Sequence, residues 1–239
     1  MFNSLSKGVF NQLNPDVLFT KDYSNGWTGD GVNDYGDISH NSWDEESTFT
    51  AGAWVKCLST SSVDFGIFGT LTGSPVNNDG VGFMIHHSLD SKLKVFFGSP
   101  TVPDFVCATE DIIPFNEYVF CVYTWNGTTI KIYINGVLQC EGTATFVHNS
   151  HKHTIGDIYA TNSNLAWRFN GEIAQFFAIE NVLEEHDIFN IYNFKRGVRY
   201  SGLNQNEFWY SNIKHWCDMD AGFIGIDETA NNNDFTIYS

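Results

Sequence analysis

The sequence predicts an all-β protein made of antiparallel strands, and three features of the chain support this prediction. Two Asn-Gly pairs, at residues 126–127 and 135–136, separate runs that are rich in β-branched and aromatic residues. Such a pair readily adopts the positive φ angles of a tight hairpin turn. Between the turns, apolar Ile130, Ile132 and Ile134 occupy every second position, as expected for a strand with one buried face. Short apolar segments also recur at intervals of roughly 8–12 residues, which is typical of sandwiches and barrels.

Residues 118–141 are therefore predicted to form a three-stranded antiparallel meander with one buried face. Upstream of the meander, strands and turns are predicted to alternate over residues 16–39 and 47–59, and three more short strands are predicted within residues 63–71, 81–88 and 92–99. In the second of these segments, small or apolar side chains at alternate positions share one face, while Trp54 lies on the other. The first half of the chain therefore consists of strands joined by turns.

Downstream of the meander, strands are predicted at residues 154–160 and in a pair bent at 170–171. Residues 183–195 are the one convincing helix, because three acids lie in its first turn, where they favour the positive helix end. Four apolar residues form a stripe along it. In the tail, residues 206–220 are predicted as an aromatic strand and residues 234–238 as a terminal strand.

The length of 239 residues is compatible with one large all-β domain. We interpret residues 1–15, which are polar and rich in Asn and Ser, as an N-terminal arm. Residues 16–239 are predicted to form a single sandwich domain, with 206–239 as an added edge strand and tail.

The composition excludes some classes of function. The chain carries 12 basic and 28 acidic residues, a formal net charge of -16, and therefore repels nucleic acids and anionic membranes. No apolar run is long enough to span a bilayer, so membrane insertion is not expected. The first residues lack the continuous apolar core of a secretory signal.

The cysteines predict a reducing compartment. Five cysteines are odd in number and widely spaced, and none forms a CxxC pair. We therefore expect reduced and mostly buried thiols, and assembly in a reducing cytoplasm. The residues concerned are Cys57, Cys107, Cys121, Cys140 and Cys217.

Four segments in a fixed order carry a resemblance to a known family. The chain resembles the concanavalin-A-like, laminin-G-like jelly-roll superfamily in this order: the opening strand at residues 29–38, the second strand at 49–56, the central hairpin at 118–138, and the closing strand pair with its short helix at 169–193. The resemblance implies an antiparallel two-sheet jelly-roll sandwich with one short helix near 183–195. This fold hosts lectins, glycanases and structural modules, so it does not by itself specify a function.

The resemblance also implies a calcium ion at the rim of the sandwich. Asp30, Asn33, Asp34 and Asp37 form the densest cluster of oxygen ligands, in a Gly-flanked loop. The competing and favoured interpretation is that these residues form turns. The chain also departs from the family pattern at residues 174–175, where Ala and Gln stand in place of acids.

Two further groups of polar residues are candidate metal ligands. Residues 227–234 offer a second, weaker cluster of oxygens. His148, His151 and His153 crowd one loop, and a His-x-His pair on an extended segment could ligate zinc. A solvated loop is the favoured interpretation, since no nearby Cys or acid completes a ligand set.

Sugar binding needs an exposed aromatic plate with amide or carboxylate partners beside it. Trp27, Trp43, Trp125 and Trp167 all adjoin loops that contain Asn, so they are the candidate carbohydrate-binding residues. For each of them, a core or rim anchor is the favoured alternative.

Catalysis is not predicted. Glycoside hydrolysis uses two carboxylates that flank the scissile bond, and the jelly-roll glycanases carry them in a Glu-x-Asp-x-x-Glu run, which this chain lacks. The chain also lacks a Gly-x-Ser-x-Gly elbow, an HExxH helix and a phosphate-binding Gly loop.

The functional hypothesis combines the fold with the expected compartment. Residues 215–237 are similar to a segment found in phage tail and surface proteins. We therefore predict a non-catalytic bacteriophage virion protein (capsid decoration, head fibre or tail-associated), assembled in the host cytoplasm, that displays a lectin-like jelly roll for adhesion to the host or to glycans. Residues 1–14 would dock onto other virion proteins, and the chain would form a homo-oligomer. The alternatives are a carbohydrate-binding module of a cellular surface protein and, less favoured, a glycoside hydrolase.

Overall fold

The strands of the chain form two antiparallel sheets, which confirms the predicted fold class. The computed structural model describes residues 26–38, 48–58, 64–71, 80–86, 90–97, 104–143, 153–158, 167–193, 200–219 and 225–238. The predicted N-terminal arm at 1–15 and the loop tryptophan Trp43 lie outside the described residues.

Strands occur from the beginning to the end of the described part of the chain. They are β1 (Trp27–Asp30), β2 (Tyr35–Asp37), β3 (Phe49–Cys57), β4 (Phe65–Gly69), β5 (Val81–His86), β6 (Lys92–Phe97), β7 (Asp104–Ile112), β8 (Val119–Trp125), β9 (Thr129–Ile134), β10 (Val137–Thr143), β11 (Thr154–Ile155), β12 (Asn170–Ile179), β13 (Ile213–Asp218) and β14 (Thr236–Tyr238). Between β12 and β13, the described residues include the α-helix α1 (Glu185–Asn193) and two short 3-10 helices, Tyr200–Gly202 and Tyr210–Asn212.

The first sheet has the spatial order β1-β12-β3-β8-β9-β10, and β13 pairs with the second half of β12. The second sheet has the order β14-β2-β11-β4-β5-β6-β7. Each sheet thus combines strands from distant parts of the chain, as expected for a jelly roll. The meander predicted at 118–141 is confirmed as β8, β9 and β10.

The main core lies between the two sheets. Alternate residues of each strand point into it, so Ile130, Ile132 and Ile134 of β9 are buried there together with Phe83 and Val95 from the second sheet. This confirms the alternation predicted from the sequence.

The outer face of the first sheet is also buried, which differs from the meander with one buried face that the sequence predicts. Trp54, Phe120 and Tyr133 lie on this outer face and pack against Ile188 of α1 and Trp209 of the segment 200–212. This outer face is buried because α1 and the segment 200–212 fold back over the sheet. This cover positions the beginning of α1 beside the β9–β10 turn.

Three local predictions require correction. Residues 170–179 form one continuous strand, not a bent pair. The aromatic strand predicted at 206–220 begins only at Ile213, because residues 210–212 form a 3-10 turn. Strand β7 (Asp104–Ile112) was not predicted from the sequence. The terminal strand is confirmed as β14, which pairs with β2 at the edge of the second sheet.

A disulfide corrects the prediction that all five cysteines are reduced. Cys107 of β7 and Cys140 of β10 form a disulfide, with their Cα atoms 6.1 Å apart. Cys57, Cys121 and Cys217 are buried thiols outside this disulfide, as predicted. Because sequence spacing does not show which strand edges meet in space, the pairing could not be deduced from the cysteine count.

Among the described residues, no helix has the combination of length and apolar character that crossing a bilayer requires.

Candidate functional site

The β9–β10 turn forms one wall of the candidate site. Asn135 and Gly136 have φ angles of 51° and 80°, both in the left-handed region that a two-residue hairpin turn needs. The Asn135 side chain fixes the turn, because its Oδ1 accepts the Phe120 amide at 3.0 Å. A Cβ on Gly136 would lie 3.0 Å from the Phe189 ring, so glycine lets the turn approach α1 closely.

The beginning of α1 forms the other wall. The Glu184 amide donates to Asp187 Oδ2 at 3.3 Å, while the Glu184 carbonyl accepts the Asp187 amide, so the first turn of the helix is capped by its own acid. His186 Nε2 lies 3.3 Å from Asp187 Oδ1, and the His186 side chain is 73% exposed. The cap therefore fixes the beginning of α1, where Glu184, Glu185 and His186 are exposed to solvent.

A depression of about 550 Å³ lies between these two walls, and we call it the acidic depression. Its lining residues are Gly136, Val137, Glu184, Glu185, His186 and Phe189. Phe189 is 47% exposed and Val137 is 53% exposed, so each presents apolar surface to solvent. Both glutamates are exposed as well.

The electrostatics of this region are negative. Burial raises the pKa of Tyr133 to about 12, and the negative charges of Glu185, Glu184 and Glu141 contribute to the same shift. Lys131 lies 3.5 Å from Glu141, so one of these acids has a basic neighbour. A group that enters the depression thus meets carboxylates beside an exposed aromatic ring.

The tryptophan prediction is wrong for two of its four members. Trp27 and Trp125 are 4% and 2% exposed, and both pack in the core between the sheets, so neither offers a stacking surface. Trp167 is half-buried and packs against Met84 and Ile158 on the outer face of the second sheet. The core-anchor alternative accounts for the first two residues.

The predicted calcium ligands are used to close a turn. Asp30 Oδ1 accepts the amides of Val32 and Asn33 at 2.7 and 3.1 Å, and Asp34 Oδ2 accepts the Asp30 amide at 3.0 Å. The hydrogen bond from Val32 is the main reason that the pKa of Asp30 lies below its ordinary value. Asp37 is buried on β2. The turn interpretation accounts for Asp30 and Asp34, and calcium binding at this rim stays a prediction.

The histidine loop lies mostly outside the described residues. His148 and His151 are not described, whereas His153 is 1% exposed and stacks on Phe68 at 5.9 Å between ring centroids. The expectation of a solvated loop is therefore wrong for His153.

A second polar cluster lies on β3 and β12. Lys56 Nζ donates to Glu172 Oε1 at 2.9 Å, and the Tyr118 hydroxyl donates to Glu172 Oε2. Burial alone would raise the pKa of Glu172, but these two hydrogen bonds, the Lys56 charge and the Gly26 amide together hold it below its ordinary value. Every oxygen of this carboxylate is engaged, so the cluster serves to join strands.

The lowered pKa of Glu172 predicts a pH dependence of stability. The stabilising effect of the carboxylate is present above the unfolded-state pKa and disappears as pH falls through the lower folded-state pKa. We expect the Glu172→Gln variant to be less stable than the wild type at neutral pH, with the difference shrinking as the pH falls through the lowered folded-state pKa of Glu172. Urea denaturation at several pH values measures this. A difference that grows on acidification would contradict the assignment.

The family model of the concanavalin A-like lectin/glucanases superfamily matches residues 30–189, about two thirds of the chain. The chain belongs to this superfamily. The match covers the strands from β2 to β12 and most of α1, and therefore includes both walls of the acidic depression. The resemblance inferred from the sequence is thereby confirmed at the level of the superfamily.

Solved structures of low sequence identity share the fold. A candidate carbohydrate-binding protein from Bacteroides ovatus is 15% identical, with a TM-score of 0.60 over 87% of this chain and 58% of its own. Domain 4 of AbnA, an extracellular GH43 arabinanase from Geobacillus stearothermophilus solved with arabinotriose, is 18% identical, with a TM-score of 0.51 over 68% of this chain and 73% of its own. A heptameric SAP-like pentraxin from Limulus polyphemus is 12% identical, with a TM-score of 0.50 over 82% and 91%.

The chain spans 58% of the length of the Bacteroides ovatus protein. No curated protein sequence matches the chain. At these identities the likeness concerns the fold, and the function has to be argued from the residues of the site.

The residues of the acidic depression were not predicted from the sequence. The acids at 184–185 were interpreted as helix-end or loop residues, and Phe189 was not a candidate. A signal was present, because Phe189 is an aromatic residue outside the apolar stripe of the predicted helix. Its proximity to the β9–β10 turn, however, depends on a contact across about 50 residues of sequence and could not be deduced from periodicity.

Proposed function

We propose that the chain is a non-catalytic carbohydrate-binding module whose glycan contacts centre on the acidic depression. The observation that supports this most directly is the exposed Phe189 ring beside Glu184, Glu185 and His186. The ring offers a flat apolar surface for the C–H face of a sugar. The carboxylates and the imidazole offer hydrogen-bond partners for its hydroxyls.

The charge of the site indicates which glycans it would accept. The carboxylates of Glu184 and Glu185 already affect the pKa of Tyr133, so they would also repel an anionic sugar. The net charge of -16 acts in the same direction. We therefore propose neutral glycans as the ligand class. The arabinotriose solved with the Geobacillus stearothermophilus domain is a neutral oligosaccharide bound by a domain of this fold, which supports the class.

The arrangement of the acids supports a binding role without turnover. Hydrolysis of a glycosidic bond requires two carboxylates about 5–9.5 Å apart on opposite sides of that bond. Glu184 and Glu185 are adjacent residues at the beginning of α1 and are exposed on one wall of an open depression. The other wall consists of Gly136 and Val137, which supply no acid.

Replacing Phe189 by alanine is expected to weaken glycan binding by about tenfold or more, because the loss of an aromatic stacking surface costs about 1.4 kcal/mol. Ligands are first identified on an array of neutral plant and microbial oligosaccharides. Affinities are then measured by calorimetry with and without a calcium chelator, which also tests the predicted calcium.

Phe208→Ala is the matched control, since Phe208 is 55% exposed but does not line the depression. Equal losses for both variants would contradict the assignment of the site. An array on which the wild-type chain binds no glycan would contradict the function itself, and release of shortened sugars would contradict its non-catalytic character.

A role in a virion is a more specific prediction than glycan binding by the module. We propose it as the setting in which a displayed, adhesive sandwich would act, with residues 1–14 as the attachment element and self-association as an expected property. The Cys107–Cys140 disulfide bears on where the protein acts, because such bonds persist in oxidising surroundings. A particle surface exposed after lysis meets this condition. Mass spectrometry of purified particles tests this role, and failure to detect the chain in them would count against it.

A further inference from the structure

The solvent side of α1 continues beyond the acidic depression as a row of aromatic and amide side chains, which we call the α1 ridge. Its members are exposed or half-buried, and they are His186, Phe189, Asn190, Tyr192 and Asn193. Residues three and four positions apart share one side of a helix, so Phe189 lies next to both Tyr192 and Asn193. The buried residues of the helix face the first sheet instead. The ridge is therefore a surface that the fold leaves open to solvent.

The two aromatic rings of the ridge lie side by side on a rigid support. The ring centroids of Phe189 and Tyr192 are 6.3 Å apart, with 43° between the ring planes. Tyr192 stacks on Trp54 at 5.7 Å between centroids and lies 6.1 Å from the ring of Phe120. Trp54 and Phe120 are buried on the outer face of the first sheet. Since this packing already restricts the Tyr192 ring, a ligand that stacks on it loses little further side-chain entropy.

The β9–β10 turn connects the second ring to the acidic depression. Gly136 lines the depression, and a Cβ on it would lie 3.0 Å from the Phe189 ring and 3.4 Å from the Cβ of Tyr192. The turn therefore lies against both aromatic residues. Phe189 and Tyr192 are three residues apart, which corresponds to about 4.5 Å along the helix axis. This step is comparable to the length of one sugar unit in an extended chain, so a chain with one sugar on Phe189 would bring the next one to Tyr192.

Side-chain amides lie beside the second ring, where the hydroxyls of a second sugar would need partners. Asn190 is half-buried and Asn193 is exposed. An amide both donates and accepts hydrogen bonds and carries no charge, which suits sugar hydroxyls. The first turn of α1 is acidic, whereas its last turn has no basic residue. The ridge therefore changes from acidic at the depression to uncharged at Asn193, and its far end neither attracts nor repels a neutral sugar by charge.

We infer that the chain binds an oligosaccharide along α1, with one sugar on Phe189 in the acidic depression and the next on Tyr192 and Asn193. The inference rests on the proposed function, because it extends the same site. It narrows the ligand class from neutral glycans in general to chains of two or more sugars. A single sugar would use the depression alone, whereas a chain would gain a second stacking surface and a second set of hydrogen bonds.

The experiment measures affinity by calorimetry for a series of neutral oligosaccharides of one linkage type, from the monosaccharide to the tetrasaccharide, with the full chain. We expect affinity to rise about tenfold from the monosaccharide to the trisaccharide. It should change little beyond that, because the nine residues of α1 span only about 14 Å. Equal affinity across the series would overturn the inference and leave the proposed function standing. Absence of binding to every glycan would contradict the proposed function and the inference together.

Variants separate the two sugar positions. Tyr192→Ala and Asn193→Ala should each weaken trisaccharide binding by about threefold to tenfold and leave monosaccharide binding unchanged. Phe189→Ala should weaken both. Because Tyr192 packs on Trp54, Tyr192→Ala could fail to fold, whereas Asn193 is exposed and provides the milder test. Asn206→Ala, which changes an exposed amide outside α1, is the control and should alter neither affinity. Unchanged trisaccharide affinity in a folded Asn193→Ala variant, or equal losses for both ligands, would overturn the inference.

Discussion

Replacing Arg168 by alanine is expected to lower the free energy of unfolding by about 3–5 kcal/mol. Arg168 Nη1 lies 2.8 Å from Asp157 Oδ2, and both side chains are 1% exposed. The variant would leave the Asp157 carboxylate in the interior without its counter-charge, and the desolvation of an uncompensated charge is the main part of the cost.

Aromatic packing adds to the expected loss. The Arg168 guanidinium lies 3.8 Å from the centre of the Tyr35 ring, and Tyr35 stacks on Tyr238 at 4.6 Å between centroids. Arg168 precedes β12, Tyr35 belongs to β2 and Tyr238 to β14, so this stack joins the first sheet to the edge of the second. A planar cation over an aromatic face contributes about 1 kcal/mol or more when desolvated.

Chemical denaturation of the wild type and variants measures this prediction. Lys131→Ala is the matched control, because Lys131 and Glu141 form an exposed pair at 3.5 Å, for which we expect a change of about 0–1 kcal/mol. The double variant Asp157→Leu with Arg168→Met should recover part of the stability, since it removes both charges. A loss in Arg168→Ala no larger than in the control would show that the buried pair is not stabilising.

Removing the Cys107–Cys140 disulfide is expected to lower the free energy of unfolding by about 3–4 kcal/mol. The two cysteines are separated by 33 residues, and the cross-link restricts this loop in the unfolded chain. The bond joins β7 at the edge of the second sheet to β10 at the edge of the first. A hydrogen bond from the Asp111 amide to Gln139 Oε1, at 3.2 Å, joins the same two strands.

The unfolding midpoint with and without a reducing agent measures the disulfide. The double variant Cys107→Ser with Cys140→Ser should match the reduced wild type, and reductant should have no further effect on it. Since β10 begins at the β9–β10 turn, glycan affinity should be compared in the same samples. A wild-type midpoint that does not respond to reductant, with both thiols titrating as free, would restore the original prediction of reduced cysteines.

Much of the fold could be predicted from the sequence because its signals are local. The turn at Asn135-Gly136 depends on the φ angles of two residues, and the alternation around Ile132 depends on neighbours two positions away. The helix at 183–195 was predicted from its acidic first turn and apolar stripe, and α1 begins within two residues of that boundary. These features require no knowledge of the rest of the chain.

The candidate site depended on information that local patterns do not contain. Whether Trp27 and Trp125 face solvent or core depends on how strands from both halves of the chain stack, and both proved to be core residues. Phe189 lies at the acidic depression only because α1 folds back over the first sheet next to Gly136.

The sequence alone therefore determined that the chain is all-β and where its hairpins turn, because these properties depend on short-range alternation and turn chemistry. The superfamily was recognised from the resemblance of four ordered segments to a known family. The tertiary structure alone decided which cysteines pair, which aromatic rings stay exposed, and that Arg168 meets Asp157 and Cys217 meets Asp227. These contacts form between segments that lie far apart along the chain or on different sheets, so the order of strands in space determines them, and periodicity along the chain does not contain that order.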